Sequence, residues 1–384
     1  MGSGEPNKGV GGRMWWDVLG SFVVSRVMLL LASWFGRYFP RDMRYPNTDA
    51  VTRGWESVPW RALDVWSRWD TSHYMRIARD GYPPEGGFLI AFFPGYPGLV
   101  RAVASVTGAH PSTRAIYIAA LVVSNAAAVG ALVLLYRLAQ DLLDDADSAG
   151  RTVLYLLAFP TGLFLSCAYS ESLFLLLGVA TFRFGVQRRW ALAGAAGFLL
   201  ALTRPVGVLF LVPLAWMYLE AAEFDVRRIR ADAAWLALIP CGLALFAVYS
   251  WRLTGDTLAV FHVQSGWGRS LSWPWTTLAR PRGFHGYMTR IDGTVTVLSV
   301  VLAVWGLFAF RTKSVGILLL LLVAPTLTSG TLMSGTRFLA VAFPVFLLLA
   351  KLGRHPLFDR AYLFNAIALQ ALFMAAWSQF NWLG

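Results

Sequence analysis

Charge is scarce in this chain. Of 384 residues only 14% are Asp, Glu, Lys or Arg, against 57% hydrophobic, and mean hydropathy is +0.55. A soluble domain carries about 25% charged residues, so an ordinary water-facing globule is excluded. Cysteine is nearly missing: Cys167 and Cys241 both fall in apolar segments, which excludes a disulfide framework and, with no clustered histidines, a metal site. Lysine is rare too, with Lys8, Lys313 and Lys351 alone, so the net charge of +12 is nearly all arginine. In a chain this apolar a basic balance points to lipid headgroups and topology, and not to nucleic acid. No G-x-G-x-x-G or P-loop follows a strand pattern, and no connection is long enough for a soluble nucleotide-binding domain. A repeat of fixed period is also absent.

Long apolar runs are what the chain has instead, and they recur from end to end. They predict an all-α polytopic membrane protein. Residues 1–13 are rich in glycine and are expected to be disordered, ahead of a single membrane domain over 14–384. Val18 to Phe35, interrupted by Arg26 and lacking a small-residue cleavage site, reads as a retained first helix. A loop over 37–111 follows. Inside it the apolar stretch Phe88 to Val106 is broken by Pro94 and Pro97, as an interfacial or re-entrant helix would be. Further spans are expected near 112–136, 152–166, 169–185, 190–203, 205–220, 232–251, 294–310, 315–330, 337–350 and 361–380, about eleven in all. The short connections carrying Arg183, Arg188 and Arg189, then Arg227, Arg228 and Arg230, then Arg311 and Lys313, then Lys351, Arg354 and Arg360 fall on one side. The positive-inside rule makes that side cytoplasmic, which leaves the loops 37–111 and 252–292 outside.

The polar residues hardest to explain gather on that outer side. Trp66-Ser67-Arg68-Trp69-Asp70 leads into a segment, Thr71 to Arg79, that reads as a short helix capped by Asp70 and stopped by Gly81. With it belong His73, Tyr74 and Arg76, the run Tyr169-Ser170-Glu171-Ser172, Arg204 before Pro205, Gln264 with Trp267 and Arg269, and Arg337. Charges at membrane depth cost at least ~2.5 kcal/mol each, so they mark a site or a pair. Each arginine alone would also serve as a headgroup anchor. Glu171 has two candidate partners, Arg204 and Arg26, while Arg26 itself reads as the structural partner of a buried acid. Two function classes fit: an enzyme acting on a lipid-linked substrate at the outer face, and a transporter or flippase. A transporter would show midplane polar groups and internal repeats; crowding on one face favours the enzyme. A sugar-transferring enzyme without a nucleotide fold would draw its donor from the bilayer as a polyprenyl phosphate sugar. One carboxylate would take the acceptor's proton, and arginines would meet the departing phosphate.

The motifs W-x-R-W-D-x-x-x-Y-x-x-I-A-x-x-G-Y (Trp66 to Tyr82), A-F-F-P-x-Y-P (Ala91 to Pro97), A-Y-S-E-S-L-F-L-L-L (Ala168 to Leu177), T-R-P-x-G (Thr203 to Gly207) and Q-x-x-W-G-R (Gln264 to Arg269), followed by Arg337-Phe338, occur in this order. Together they resemble the PIG-V family, the second mannosyltransferase of glycosylphosphatidylinositol assembly and its bacterial relatives. The resemblance implies the GT-C glycosyltransferase architecture, with about eleven transmembrane helices and a helical first extracytoplasmic loop. It implies a polyprenyl-phosphate-mannose donor, inversion at the anomeric carbon, and Asp70 as the catalytic carboxylate. The expected substrate-binding set is Arg68, His73, Tyr74, Glu171, Arg204, Gln264, Trp267, Arg269 and Arg337. Thr71 and Ser72 follow Asp70, so there is no D-x-D or E-x-D, and neither metal nor other cofactor is expected. Phe338 stands where the family pattern suggests Tyr. Beyond donor and membrane lipids the partner is an acceptor of unassigned class: glycolipid, glycan or protein. The expected location is the plasma (inner) membrane, multi-pass, with the site on the extracytoplasmic side.

The orientation is testable on intact cells. A cysteine placed at Gly86, in a chain without Cys167 and Cys241, should react with a membrane-impermeant thiol reagent, and one at Arg228 should not. The reverse pattern overturns it.

Overall fold

The computed structural model describes residues 8–38, 40, 61–281 and 287–383, and among these every regular element is helical. Lys8–Trp15, a π-helical turn Trp16–Gly20 and Ser21–Gly36 run on as one rod, α1. The stretch expected to lack structure, 1–13, is thus helical from Lys8 onward, and residues 1–7 lie outside the described ones. There follow α2 (Thr71–Asp80), α3 (Gly95–Ala104), α4 (Thr113–Leu143), α5 (Ala146–Ala158), α6 (Glu171–Val186), α7 (Trp190–Thr203) and α8 (Leu211–Ala221). Then come α9 (Leu238–Thr254), α10 (Tyr287–Ala309), α11 (Ser314–Thr328), α12 (Gly335–Leu339), α13 (Pro344–Leu352) and α14 (Pro356–Ser378).

Five helices among the described residues are long and apolar enough to cross a membrane alone: Gly12–Gly36, Thr113–Leu143, Ala231–Thr254, Met288–Ala309 and Pro356–Ser378. Trp190–Thr203, Pro205–Ala221 and Ser314–Thr328 are apolar but shorter. The expectation of about eleven full spans is therefore not met by length, and two breaks account for much of the difference. The run 152–166 ends as α5 at Ala158, before Pro160, and resumes as a 3-10 turn over Gly162–Leu165. The run 337–350 divides into α12 and α13, with Pro344 starting the second. Breaks of this kind survive at membrane depth only where protein satisfies the freed backbone. Here it does: buried Gln370 of α14 donates through Nε2 to the carbonyls of Leu157 and Phe159, both at 2.7 Å.

α4 stands at the centre, with small residues Ala119, Ala120, Ala127, Ala128 and Ala131 buried on its surface, and it packs on α5 and α6. Small residues let backbones approach closely where lipid offers no hydrophobic drive. The crossing of α7 and the segment leading into α9 is tighter still: a Cβ on Gly194 would fall 2.0 Å from the Trp235 carbonyl oxygen, so only glycine fits.

At one end of the bundle the last turns of α4, α6, α8 and α10 border a polar cavity of about 760 Å³, with Arg188, Arg311, Lys351 and Arg354 around it. Helix C-termini leave carbonyls unpaired and carry partial negative charge. The basic residues answer both needs, since Arg354 donates to the Leu143 carbonyl at 2.9 Å and Lys351 to that of Ala309. The opposite end carries the two long loops. In the first, residues 41–60 lie outside the described residues; α2 forms where the helix was expected, with Gly81 at φ 76° ending it. The apolar stretch after it is broken as expected, into a 3-10 turn over Gly87–Ala91 and α3, with Pro94 at the start of the latter. The second loop was expected to reach 292, but α10 begins at Tyr287, which places Asp292 within the helix.

Candidate active site

α2 is amphipathic: Thr71, Tyr74, Met75, Ile77 and Ala78 are buried, while Arg76, Arg79 and Asp80 face out. This face fixes the helix on the bundle and so fixes what stands at its N-terminus. Asp70 occupies the N-cap position, but its side chain makes no capping hydrogen bond. The turn into it is strained, with Trp69 at φ 53°, a conformation that costs a non-glycine residue about 1–3 kcal/mol. Tyr169 holds that turn in place: its hydroxyl accepts from the Asp70 amide at 3.1 Å and donates to the Arg68 carbonyl at 2.8 Å.

The Asp70 carboxylate is thereby free to meet Arg337, whose Nη1 donates to Asp70 Oδ2 at 2.7 Å. The same guanidinium donates through Nε to Glu171 Oε1 at 2.6 Å, and Arg204 Nη2 reaches that oxygen at 3.0 Å. Glu171 is wholly buried at the first turn of α6, where the helix dipole favours a carboxylate. Removing one member of such a buried set leaves an uncompensated charge, which is strongly unfavourable. Arg337 also lies 4.5 Å from the Tyr169 ring centroid and 5.1 Å from that of Phe164. Arg204 takes its position from the extended backbone (φ −155°) that a residue before proline adopts.

Arg269 follows a left-handed glycine, Gly268, and donates through Nη1 to Gln264 Oε1 at 2.7 Å. Burial pushes its guanidinium pKa down to about 10, so it stays cationic at neutral pH. Phe338 stands between two of these cations, 5.3 Å from Arg204 and 5.4 Å from Arg269. Asp70, Tyr74, Arg204, Gln264, Trp267, Arg269, Arg337 and Phe338 all line one cavity of about 670 Å³. Its wall also includes the apolar side chains of Val206, Leu209, Leu321 and Leu322. Three arginines against the Asp70 and Glu171 carboxylates leave one positive charge at the site. The arrangement suits an anionic headgroup on a lipid tail, set beside a single carboxylate.

Three residues expected to bind substrate do not line the cavity. Arg68 is buried away from the cavity, paired to Asp64 at 2.8 Å and donating to the carbonyls of Asp64 and Ser67, both at 2.6 Å. His73 packs against the rings of Phe88 at 5.3 Å and Phe92 at 4.8 Å and does not line the cavity. Its burial lowers the imidazole pKa, which keeps it neutral. Glu171 also lies outside the wall and acts on it through the two arginines. Tyr74 does line the cavity, its hydroxyl hydrogen-bonded to that of Ser170 at 2.8 Å, and Trp267 packs on Phe88 with centroids 4.1 Å apart. Among the described residues Arg26 meets no acid: it donates to the Ser166 hydroxyl and lies over the Phe22 ring.

Asp292 was missed, and Tyr169, though part of the singled-out run 169–172, was left out of the substrate-binding set. Asp292 Oδ1 accepts the Thr336 amide at 2.8 Å, and Thr161 Oγ1 donates to the Thr336 carbonyl at 2.9 Å. Thr336, the residue before Arg337, is thus held at both its amide and its carbonyl, after a turn in which Ser334 has φ 67°. A carboxylate inside the apolar run 288–309 was the available signal.

The sequence model of the mannosyltransferase (PIG-V) family matches residues 17–211. A GPI mannosyltransferase 2 of Drosophila pseudoobscura pseudoobscura is 28% identical over 171 residues, 40% of this chain and 36% of that relative, so the match spans little more than a third of the relative's length. The oligosaccharyltransferase of Archaeoglobus fulgidus in its apo form superposes with a TM-score of 0.51 at 13% identity, over 95% of this chain and 56% of that one. The same enzyme tethered to an acceptor peptide gives 0.52 at 12% identity, over 95% and 55%. At these identities the likeness is one of fold, the GT-C architecture.

Asp292 is expected to stabilise the turn that presents Arg337. Asp292→Ala should lower stability by about 1–3 kcal/mol through the orphaned Thr336 amide, whereas Asp292→Asn keeps an acceptor oxygen and should lose far less. Thermal unfolding of the purified variants in detergent checks both.

Proposed function

The chain belongs to the mannosyltransferase (PIG-V) family, and from that premise we propose that it moves mannose from polyprenyl-phosphate-mannose to an acceptor hydroxyl outside the plasma membrane. At the coarser level it is a multi-pass membrane glycosyltransferase of GT-C fold. One observation carries the finer reading: Asp70, its carboxylate not spent on a cap, lines one cavity with three arginines and several apolar side chains. The arginine-rich end of the bundle lies opposite this cavity, which supports an outward-facing site.

In this reading the acceptor hydroxyl attacks the anomeric carbon of the donor while Asp70 takes its proton. The new glycosidic bond forms as the bond from that carbon to the phosphate oxygen breaks, with inversion. The polyprenyl phosphate departs with the bonding electron pair and gains negative charge. Arg204 and Arg269 are the cations best placed to receive it, because each has donor groups not committed within the protein: Arg204 spends one on Glu171 and Arg269 one on Gln264. Arg337 has already given Nε and Nη1 to the two carboxylates. Its role is to hold the Asp70 carboxylate aimed, with a share in phosphate binding through what remains of the fork. Guanidinium suits both tasks, since its planar donors span two oxygens at once. The reading assigns the leaving-group charge to arginine and invokes no metal. The apolar side chains of Val206, Leu209, Leu321 and Leu322 on the same wall suit the donor's lipid.

The test uses purified protein in lipid nanodiscs with labelled polyprenyl-phosphate-mannose and membrane lipid extract, following both product formation and donor binding. Asp70→Asn should cut turnover by about 10²–10⁴-fold with donor binding kept. Arg337→Lys cannot span Asp70 and Glu171 and should lose most turnover, while Arg269→Lys should mainly weaken donor binding. Near-normal turnover in Asp70→Asn, or wild-type protein that moves the donor across the bilayer without forming a glycosidic bond, overturns the reading.

A further inference from the structure

We propose that the segment following α14 builds the acceptor side of this cavity, and that Trp382 is the surface on which a sugar ring of the acceptor stacks. This rests on the glycosyltransferase reading above and adds to it a residue, the one that would hold a pyranose ring at or next to the acceptor hydroxyl.

α14 ends at Ser378 and the chain turns at once, with Phe380 at φ 63° and the Gln379, Phe380 and Asn381 amides bonded back to the carbonyls of Ala376, Trp377 and Ala376. The turned segment is then tied, point by point, to the strand of loop that ends in Asp70. Buried Trp377 donates its indole N–H to the Val65 carbonyl at 2.8 Å. Phe380 lies under the Arg68 guanidinium at 4.1 Å, and that guanidinium is itself clamped by Asp64. Trp382 meets Trp69 edge to face, with centroids 5.0 Å apart. Leu383 is completely buried. This explains why Arg68 is missing from the cavity: it serves as the platform for the segment that reaches the cavity in its stead.

Anchoring alone does not account for Trp382. Trp377, Phe380 and Leu383 already fasten the segment, whereas Trp382 is only half-buried and lines the cavity together with Asp70 and Tyr74. Its position follows from the base it neighbours. Trp382 packs on the residue immediately before Asp70, and Asp70 must touch the acceptor hydroxyl. The cations that face the donor phosphate come from other elements, Arg204 from the end of α7 and Arg269 from the second loop. An electron-rich indole face matches the apolar, slightly positive C–H face of a pyranose, the same electrostatics that draws cations and ring edges to aromatic faces. A serine or threonine hydroxyl on a flexible peptide presents no such face. The transfer step is the one already described, with the ring stacked on Trp382 while its hydroxyl loses a proton to Asp70.

The experiment compares wild type, Trp382→Phe and Trp382→Leu in nanodiscs, with labelled polyprenyl-phosphate-mannose at saturation and membrane lipid extract as the graded acceptor source. Leucine keeps an apolar side chain against Trp69 and lacks a ring, so both variants are expected to fold, and thermal unfolding verifies it. The amount of extract giving half-maximal product should rise about tenfold in Trp382→Leu, return most of the way in Trp382→Phe, and leave donor binding unchanged. Unchanged half-saturation in Trp382→Leu, or an equal loss of donor affinity, overturns the acceptor assignment alone. Absence of any product from wild type overturns the transferase reading, and the acceptor assignment falls with it.

Discussion

Arg337 lies between two carboxylates that come from distant parts of the chain, Asp70 before α2 and Glu171 at the start of α6. Each charge by itself would be expensive in a bundle surrounded by lipid. Together with Arg204 they form a connected set in which every charge has a partner, and the elements carrying them are fixed relative to one another as a result. The first loop, the start of α6, the α7 end and the short α12 all meet at this point. The supporting contacts are of the same kind: Tyr169 bonds the turn before Asp70, and Asp292 and Thr161 bond the amide and the carbonyl of Thr336, just before Arg337. Two residues in left-handed backbone, Trp69 and Ser334, stand at the turns that deliver Asp70 and Arg337. Strain at those turns is sustained because the surrounding bonds over-determine them.

Irregular backbone at membrane depth follows the same rule of local satisfaction. The bundle has breaks near Pro160 and Pro344, and both lie inside the protein. Buried polar side chains take up what the breaks release, Gln370 by donating to two carbonyls and Thr161 to one. Such breaks create the short, turned α12, and a straight helix in its place could not bring Arg337 to Asp70. At the basic end, where helices finish without a site to build, arginine and lysine simply cover the last carbonyls.

Much of the site was legible in the sequence. Charged and amide residues next to apolar runs carry a cost that must be recovered somewhere, so Asp70, Glu171, Arg204, Gln264, Arg269 and Arg337 stood out, and Arg204 with Glu171 was a foreseeable pair. Arg68 and His73 carried the same signal but had local uses. The Arg68 partner, Asp64, sits four residues earlier, a spacing at which side chains meet on one turn of helix. His73 is held by rings from the neighbouring 3-10 turn, and burial keeps it uncharged. The capping role open to Asp70 was not taken, because a guanidinium from much later in the chain claims its carboxylate. The tendency to count every apolar run as a span failed for a related reason. Hydropathy records that a segment avoids water and is silent on whether lipid or protein surrounds it.

By itself the sequence determined the environment and the inventory: a helical membrane protein, a family motif set, a carboxylate at the head of a short helix, and several arginines without local partners. These follow from composition, from helical periodicity and from the cost of charge near lipid, all of which act over a few residues. Which arginine meets which acid, that Arg68 serves as a platform, that Asp292 braces the turn before Arg337, and that Trp382 lines the cavity beside Asp70 were decided only in the tertiary structure. The physical reason is separation along the chain. Asp70 and Arg337 are 267 residues apart, and no local preference can encode a contact whose existence depends on how all the intervening helices pack.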